Sequence, residues 1–232
     1  MVAHNPARFS SVPFPPDARG RVRWAGVACV WGGGLGALVS IALAFAAPAV
    51  EPGVYNYPLE ESTFVVVQAA SAVIYLVMAY GLMGLWWSRV VPPSIFGSSG
   101  ALAAAGSLVL LAIVHLVSIA AAGFVDTAPF VDILNASFGV VTAASGLSLV
   151  LGGIAIMRGR AWAGRGAYVP LIMGIYVFAP LIPALLGPII LARIAVAGWC
   201  VLFVVLGVAL LKLARSGRTG RAQPTRGVLT PG

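Results

Sequence analysis

Six long apolar runs constrain this chain more than any other feature of its sequence. A helix needs ~20 predominantly apolar residues to cross the hydrocarbon core of a bilayer. Only helices and closed barrels satisfy their backbone hydrogen bonds there, so the sequence predicts an all-α, polytopic, integral membrane bundle of six transmembrane helices. These helices are expected at about residues 24–47, 63–87, 100–122, 133–157, 169–186 and 194–213.

Composition supports a membrane location. Hydrophobic residues make up 60% of the 232 residues and charged residues only 9%, whereas soluble domains carry ~45–50% apolar and ~25% charged residues. These proportions exclude an ordinary soluble domain, a disordered chain and a disulfide-rich secreted scaffold. The excess of Arg over Lys, together with abundant Ala, Gly and Val, favours a bacterial origin. We therefore expect the bacterial inner (plasma) membrane as the location.

The charged residues fall on opposite sides of a six-span chain. Of the 14 Lys and Arg residues, all but Arg193 lie in the two tails or in the loops after spans two and four. Cytoplasmic loops carry the excess of Lys and Arg, so both termini are predicted to be cytoplasmic. An alternative for the first span is a signal peptide cleaved near Ala47, although its apolar run exceeds the usual ~7–15 residues.

The two tails, residues 1–22 and 214–232, are predicted to be disordered, because they are rich in Pro, Gly and Arg and have no hydrophobic period. Membrane lipids are a predicted partner, since basic tails attract anionic lipid, although the same charges suffice to fix topology. The net charge of +8 is split between short segments that lack stacking aromatic residues. Nucleic-acid binding is therefore not predicted.

The fifth span has three prolines, at positions 170, 180 and 183. Proline removes a helix hydrogen bond and clashes with the preceding turn. We expect this span to be bent and to pack against protein rather than lipid. A tight turn near Leu186–Gly187–Pro188 must then lead into the sixth span.

Polar residues within the spans are few, and they lie in the predicted outer half. Ionisable groups inside a membrane are costly and often functional, so these side chains are candidates for an outward-facing polar cavity. We expect Arg193 to form an ion pair with Asp132. The alternatives are interhelical hydrogen bonds and a snorkelling arginine. The candidate residues are Gln68, Tyr75, His115, Ser118, Asp132, Asn135 and Arg193.

The sequence supports no catalytic, metal or cofactor site. His115 is the one histidine within a predicted span, so haem with two axial histidines is not expected. No zinc-ligand spacing occurs. Cys29 and Cys200 differ in predicted depth by more than ~10 Å, which is too far for a disulfide. An enzymatic role is not favoured, because the carboxylates lie near the predicted outer surface.

Small residues form stripes on two spans. Gly32, Gly36, Ser40 and Ala44 lie on one face of the first span, and Gly139, Ala143 and Gly146 lie on one face of the fourth. Such stripes allow helices to approach closely, either within the bundle or between copies in a homo-oligomer or with another membrane protein.

Two short segments resemble each other. Residues 64–71 read FVVVQAAS and residues 138–145 read FGVVTAAS. The two segments lie 74 positions apart in the sequence, and the same shift places span three over span five. This pattern suggests a parallel repeat of spans two and three as spans four and five, of the kind found in some transporters. Chance is the alternative, because Val, Ala and Ser are abundant throughout the chain.

Two functions are therefore open. The first is a non-enzymatic protein that handles a small solute or lipid through the outward-facing polar cavity. The alternative is a structural or accessory subunit that packs against other membrane proteins through its small-residue stripes.

Overall fold

The computed structural model describes residues 9–13, 16–90, 95–160, 162, 164–216 and 218–222. Its elements, in chain order, are strand β1 (Phe9–Pro13), helices α1 (Pro16–Ala44), α2 (Glu61–Trp87), α3 (Ile95–Ser118), α4 (Pro129–Gly159), α5 (Val169–Tyr176), α6 (Ile182–Leu185) and α7 (Ile189–Ser216), and strand β2 (Arg218–Ala222).

Among the described residues, six helices are long and apolar enough to cross a membrane, as predicted; the fifth is made of α5 and α6 with the turns around them. Apolar side chains cover the outside of the bundle as well as its core, with Leu38, Val66 and Val140 among the exposed ones. A bundle that is apolar on its exterior is suited to lipid rather than water. The chain is a multi-pass membrane protein.

The six spans form a closed ring in chain order. Each span packs against the next, and α1 closes the ring by packing along α7, which is the most extensive helix contact in the bundle. Consecutive spans are antiparallel, so the loops after α1, α3 and α6 share one end of the bundle. We call this the distal end; β1 and β2 lie at the other, proximal end.

Glycines permit the close contact between α1 and α7. A Cβ atom at Gly33 would lie 2.5 Å from the carbonyl oxygen of Cys200, and one at Gly207 would lie 2.6 Å from that of Gly26. Gly32 and Gly36 also face neighbouring helices, against Met78 and Cys200 respectively. The predicted small-residue stripe of the first span is therefore used within the bundle.

The fifth span departs from regular α-helical geometry around Pro180. Residues Val177–Leu181 form a π-helical turn around Pro180, between α5 and α6, because proline supplies no N–H for the helix ladder. The expectation that this span avoids lipid is wrong for one face, where Ile172, Ile175 and Phe178 are exposed. The tight turn to α7 is confirmed by a hydrogen bond from Gly187 N to Ala184 O, 3.1 Å.

The tails are more ordered than predicted. Helix α1 already begins at Pro16, and β1 pairs antiparallel with β2, Phe9 opposite Ala222 and Pro13 opposite Arg218. The reason is geometric, since adjacent antiparallel helices α1 and α7 bring the two flanking segments together. The remaining residues predicted to be disordered, 1–8, 14–15, 217 and 223–232, lie outside the described residues.

Candidate functional site

A hydrogen bond between α2 and α3 forms the centre of the candidate site. Nδ1 of His115 lies 2.6 Å from Oε1 of Gln68. His115 lies six residues before the distal end of its span at Ala121, and Gln68 lies seven residues after the distal start of its span at Glu61. At 1.5 Å per residue, both lie roughly 10 Å below the distal end. The side-chain amide of Gln68 is placed with its oxygen toward the His115 ring. In this placement a neutral imidazole carries its proton on Nδ1, and Nε2 is a hydrogen-bond acceptor.

Aromatic rings enclose the imidazole on two sides. The Tyr75 ring stacks on His115 with centroids 5.0 Å apart and an interplanar angle of 22°. Phe138 of α4 meets the imidazole edge-on, at 4.9 Å and 72°. Side chains lean toward the N-terminus of their helix. The Tyr75 side chain on α2 therefore leans toward the distal end, and the His115 side chain on α3 leans toward the proximal end. The two rings can meet for this reason, although the backbone of Tyr75 lies about two helical turns deeper than that of His115.

Arg193 brings a positive charge to the same end. It lies in the second turn of α7, is half-buried, and interacts electrostatically with Tyr75, Tyr55 and His115. Asp132 is not among the groups that act electrostatically on Arg193, so the predicted ion pair between them is not observed. The reason is that Asp132 is exposed in the first turn of α4, where the helix dipole favours a carboxylate.

Ser118 links the site to the loop after α1. Its hydroxyl donates to the carbonyl oxygen of His115, 2.7 Å away, and it is also hydrogen-bonded to the Tyr55 side chain. Burial raises the pKa of Tyr55, while the positive charge of Arg193 opposes that rise. A loop tyrosine thus reaches from above into the distal end of the bundle.

The two larger distal loops hold each other above the site. Tyr55 N donates to Phe124 O at 2.9 Å, and Asp126 N donates to Gly53 O at 3.0 Å. Asn56 is only 4% exposed; its Oδ1 accepts from Gly123 N at 3.0 Å and its Nδ2 donates to Leu59 O at 2.7 Å. We call these paired segments, residues 53–59 and 123–126, the distal cap.

The structure thus divides the predicted cavity residues into two groups. Gln68 and Tyr75 contact the imidazole of His115, and Ser118 bonds to the backbone carbonyl oxygen of His115. Arg193 lies within electrostatic range of His115 and Tyr75. Asp132 and Asn135 have exposed side chains on the first turns of α4 and do not join the group.

Sequence reasoning missed three residues of this neighbourhood. Tyr55 is not among the predicted cavity residues, and Phe138 occurs only in the short repeat. Trp199 of α7, whose ring centroid lies 6.4 Å from that of Tyr75, was not considered. An aromatic side chain in an apolar span carries no distinguishing signal in sequence, so only the packing of neighbouring helices reveals these contacts.

Two buried polar atoms lack a partner among the described residues, namely Ser145 Oγ and Trp199 Nε1. Buried polar groups in proteins are generally hydrogen-bonded, so an orphan deserves an explanation. Trp199 is 2% exposed and packs edge-on against Phe203, with centroids 5.0 Å apart. Its N–H is thus a donor without an acceptor among the described residues, on a ring that neighbours Tyr75.

Metal-ligating residues do not cluster in the part of the chain that the structure describes, where no group of three or more His, Cys, Asp or Glu occurs. Cys29 and Cys200 are free and buried. Comparisons with known protein families, with curated proteins and with solved structures find no match to this chain.

Proposed function

We propose that this chain binds a small solute or a lipid at the distal site formed by Gln68, Tyr75, His115 and Arg193, without catalysing a reaction on it. The observation that carries the proposal is the hydrogen-bonded imidazole held between two aromatic rings, within electrostatic range of a half-buried arginine. Polar and charged groups at membrane depth are costly and typically mark ligand pathways.

The proposal includes an orientation. We place the protein in a bacterial inner membrane with its proximal end in the cytoplasm, because the basic residues of the tails and of two loops belong to that end. The site then opens toward the outer side, beneath the distal cap. Reporter fusions after Ser216 and within residues 122–128 test this arrangement. A reporter active only in the cytoplasm is expected to work at the first position alone.

Binding is tested on the full chain in detergent micelles by native mass spectrometry of molecules retained from the membrane. Wild type is compared with His115→Phe, which keeps an aromatic ring but loses the imidazole nitrogens. The matched control is Ser107→Ala, on the same helix, whose hydroxyl bonds only within its own helix to Ala103 O at 2.9 Å. A retained species that is lost in His115→Phe but kept in Ser107→Ala supports the proposal. Equal retention by all three proteins contradicts it.

A second candidate function is an accessory subunit that packs against other membrane proteins. The observation in its favour is that Gly106 and Gly139 have open space where a side chain would be, which leaves small-residue surface available to a partner helix. The stripe on α1, by contrast, faces α2 and α7. Cross-linking from residue 139 in membranes tests this function, with residue 34 as the control position.

A further inference from the structure

The imidazole of His115 has one ring nitrogen engaged and the other available. Nδ1 lies 2.6 Å from Oε1 of Gln68, whereas Nε2 has no hydrogen-bond partner among the described residues. The fully buried side-chain atoms that lack a partner there are Ser145 Oγ and Trp199 Nε1. Nε2 is not one of them, so this unpaired atom reaches accessible surface.

The accessible surface of His115 lies on the inner side of α3. Leu111, four residues before it, and Ser118, three residues after it, share its helical face, and both are buried. The opposite face carries the exposed side chains of Ile113 and Val117. His115 is nevertheless only half-buried. Its ring therefore borders a crevice between helices rather than the outside of the bundle.

Tyr75 shows the same combination on α2. Ala72 and Ala79, three residues before and four after it, share its helical face and are buried, yet Tyr75 is half-buried. Its ring stacks on the imidazole with centroids 5.0 Å apart. The accessible surfaces of the two rings therefore adjoin, and the crevice lies between α2 and α3.

The chemistry of this crevice favours an uncharged donor. A neutral imidazole whose Nδ1–H is bonded to Gln68 offers Nε2 as an acceptor. The side chains in contact with the ring, those of Gln68, Tyr75 and Phe138, carry no negative charge. A cationic donor would lack a counter-charge among them, which is costly in a low-dielectric setting. A hydroxyl group supplies a donor without a charge.

We infer that the distal site takes an uncharged ligand whose hydroxyl group donates a hydrogen bond to Nε2 of His115. Gln68 is a positioning residue in this arrangement, because it accepts from Nδ1 and so keeps the proton off Nε2. This inference rests on the proposed function and specifies its ligand class.

Nitrogen-15 spectra of the imidazole in the full chain test the acceptor directly. The chain has two histidines, so the variant His4→Ala leaves the ring of His115 as the single source of signal. At about pH 8, where an ordinary imidazole is neutral, we expect the proton on Nδ1. Gln68→Leu in the same background is expected to let both tautomers appear, which altered packing alone would not produce. A proton on Nε2 in His4→Ala overturns the inference.

Two matched pairs of probes test the ligand class. Phenol and para-octylphenol each offer a hydroxyl donor, and their methyl ethers, anisole and para-octylanisole, keep the ring and the oxygen but lose the donor. Phenol represents a small solute and octylphenol a lipid-like amphiphile, so the pairs separate the two sources of the same hydroxyl chemistry. Affinities are measured by calorimetry on the full chain in a non-ionic detergent, with the detergent alone as the blank.

We expect at least one phenol to bind wild type about three- to tenfold more tightly than its own ether, which is the usual net value of one hydrogen bond. This preference should disappear in His115→Phe and persist in Ser107→Ala, whose hydroxyl bonds only to Ala103 O. The bound phenol should also shift the Nε2 signal of His4→Ala. If His115→Phe does not fold, this signal and the wild-type comparison decide.

The two levels of the proposal fail differently. An ether that binds as tightly as its phenol, with both lost in His115→Phe, overturns the hydroxyl inference and leaves the proposed binding function intact. Binding of every probe that is unchanged in His115→Phe counts against the proposed function itself. If no probe binds wild type, the hydroxyl inference falls, and the retention of membrane molecules by wild type and His115→Phe alone decides the function.

Discussion

The Nδ1 atom of His115 and the Oε1 atom of Gln68 lie 2.6 Å apart, and they join two neighbouring helices at equal depth. Gln68 is largely buried, at 9% exposure, and the imidazole is stacked on Tyr75. The pair therefore fixes the orientation of the ring, which determines whether Nε2 or Nδ1 is presented to a ligand.

A double-mutant cycle with Gln68→Leu and His115→Phe measures this contact. Interhelical hydrogen bonds in membrane proteins contribute ~0.6 kcal/mol on average and at most ~1.7 kcal/mol, so we expect a coupling free energy of about 1 kcal/mol. The measurement is reversible unfolding in mixed micelles. A cycle between Gln68→Leu and Ser107→Ala, about 12 Å further along α3, is the control and should show no coupling. Equal coupling in both cycles would argue against a specific contact.

Substitution of Gly33 by Ala is expected to destabilise the bundle. The added Cβ meets the Cys200 carbonyl oxygen at 2.5 Å, and backbone cannot move aside cheaply. Overpacking of this kind costs about 1–3 kcal/mol in the free energy of unfolding. Gly34→Ala is the matched control, because nothing lies within 4 Å of a Cβ at that position. Equal stability of the two variants would contradict the close packing of α1 on α7.

Asn56→Ala is expected to loosen the distal cap without unfolding the bundle. The change removes the hydrogen bonds to Leu59 O and from Gly123 N, and leaves polar groups without partners, at about 1–3 kcal/mol each. Hydrogen exchange should rise in residues 53–59 and 123–126 and stay constant in α1 and α7. The exposed Asn135→Ala serves as control. Unchanged exchange in the cap would show that Asn56 does not hold the two loops together.

The contribution of Tyr55 to stability is expected to decline at high pH. Burial raises its pKa above the usual 10 in the folded protein, so folding favours the neutral phenol. This stabilisation is complete below about pH 10 and is lost as pH rises through the folded-state pKa. Thermal unfolding of wild type and Tyr55→Phe, compared from about pH 8 upward, should show a stability gap that narrows above pH 10. A gap that does not change with pH would refute this linkage.

The spans were predictable because length and apolar content decide them. Predicted and observed boundaries agree within a few residues for most spans, and the prolines of the fifth coincide with a π-helical turn. The start of α1 at Pro16 was missed, because a charged and Gly-containing segment gives a weak helix signal. That segment is helical in the structure, where its neighbour α7 provides packing for buried Val22.

The site was only partly predictable. Hydropathy identifies Gln68, His115 and Arg193 as exceptions within apolar spans, and helical spacing puts Gln68 and Tyr75 on one face. Sequence cannot say which faces of different helices meet, because rotation of each helix depends on packing across the whole ring. The same gap explains the predicted pairing of Asp132 with Arg193, although the Asp132 side chain is exposed in the structure.

The contact between α1 and α7 also has a consequence for biogenesis. It joins the first and the last of the six spans to emerge during synthesis, so the ring cannot close until α7 has entered the membrane. Until then the glycine face of α1 is open to lipid and to other helices. Chains that stop before α7 thus expose a glycine face that is suited to wrong associations with other helices.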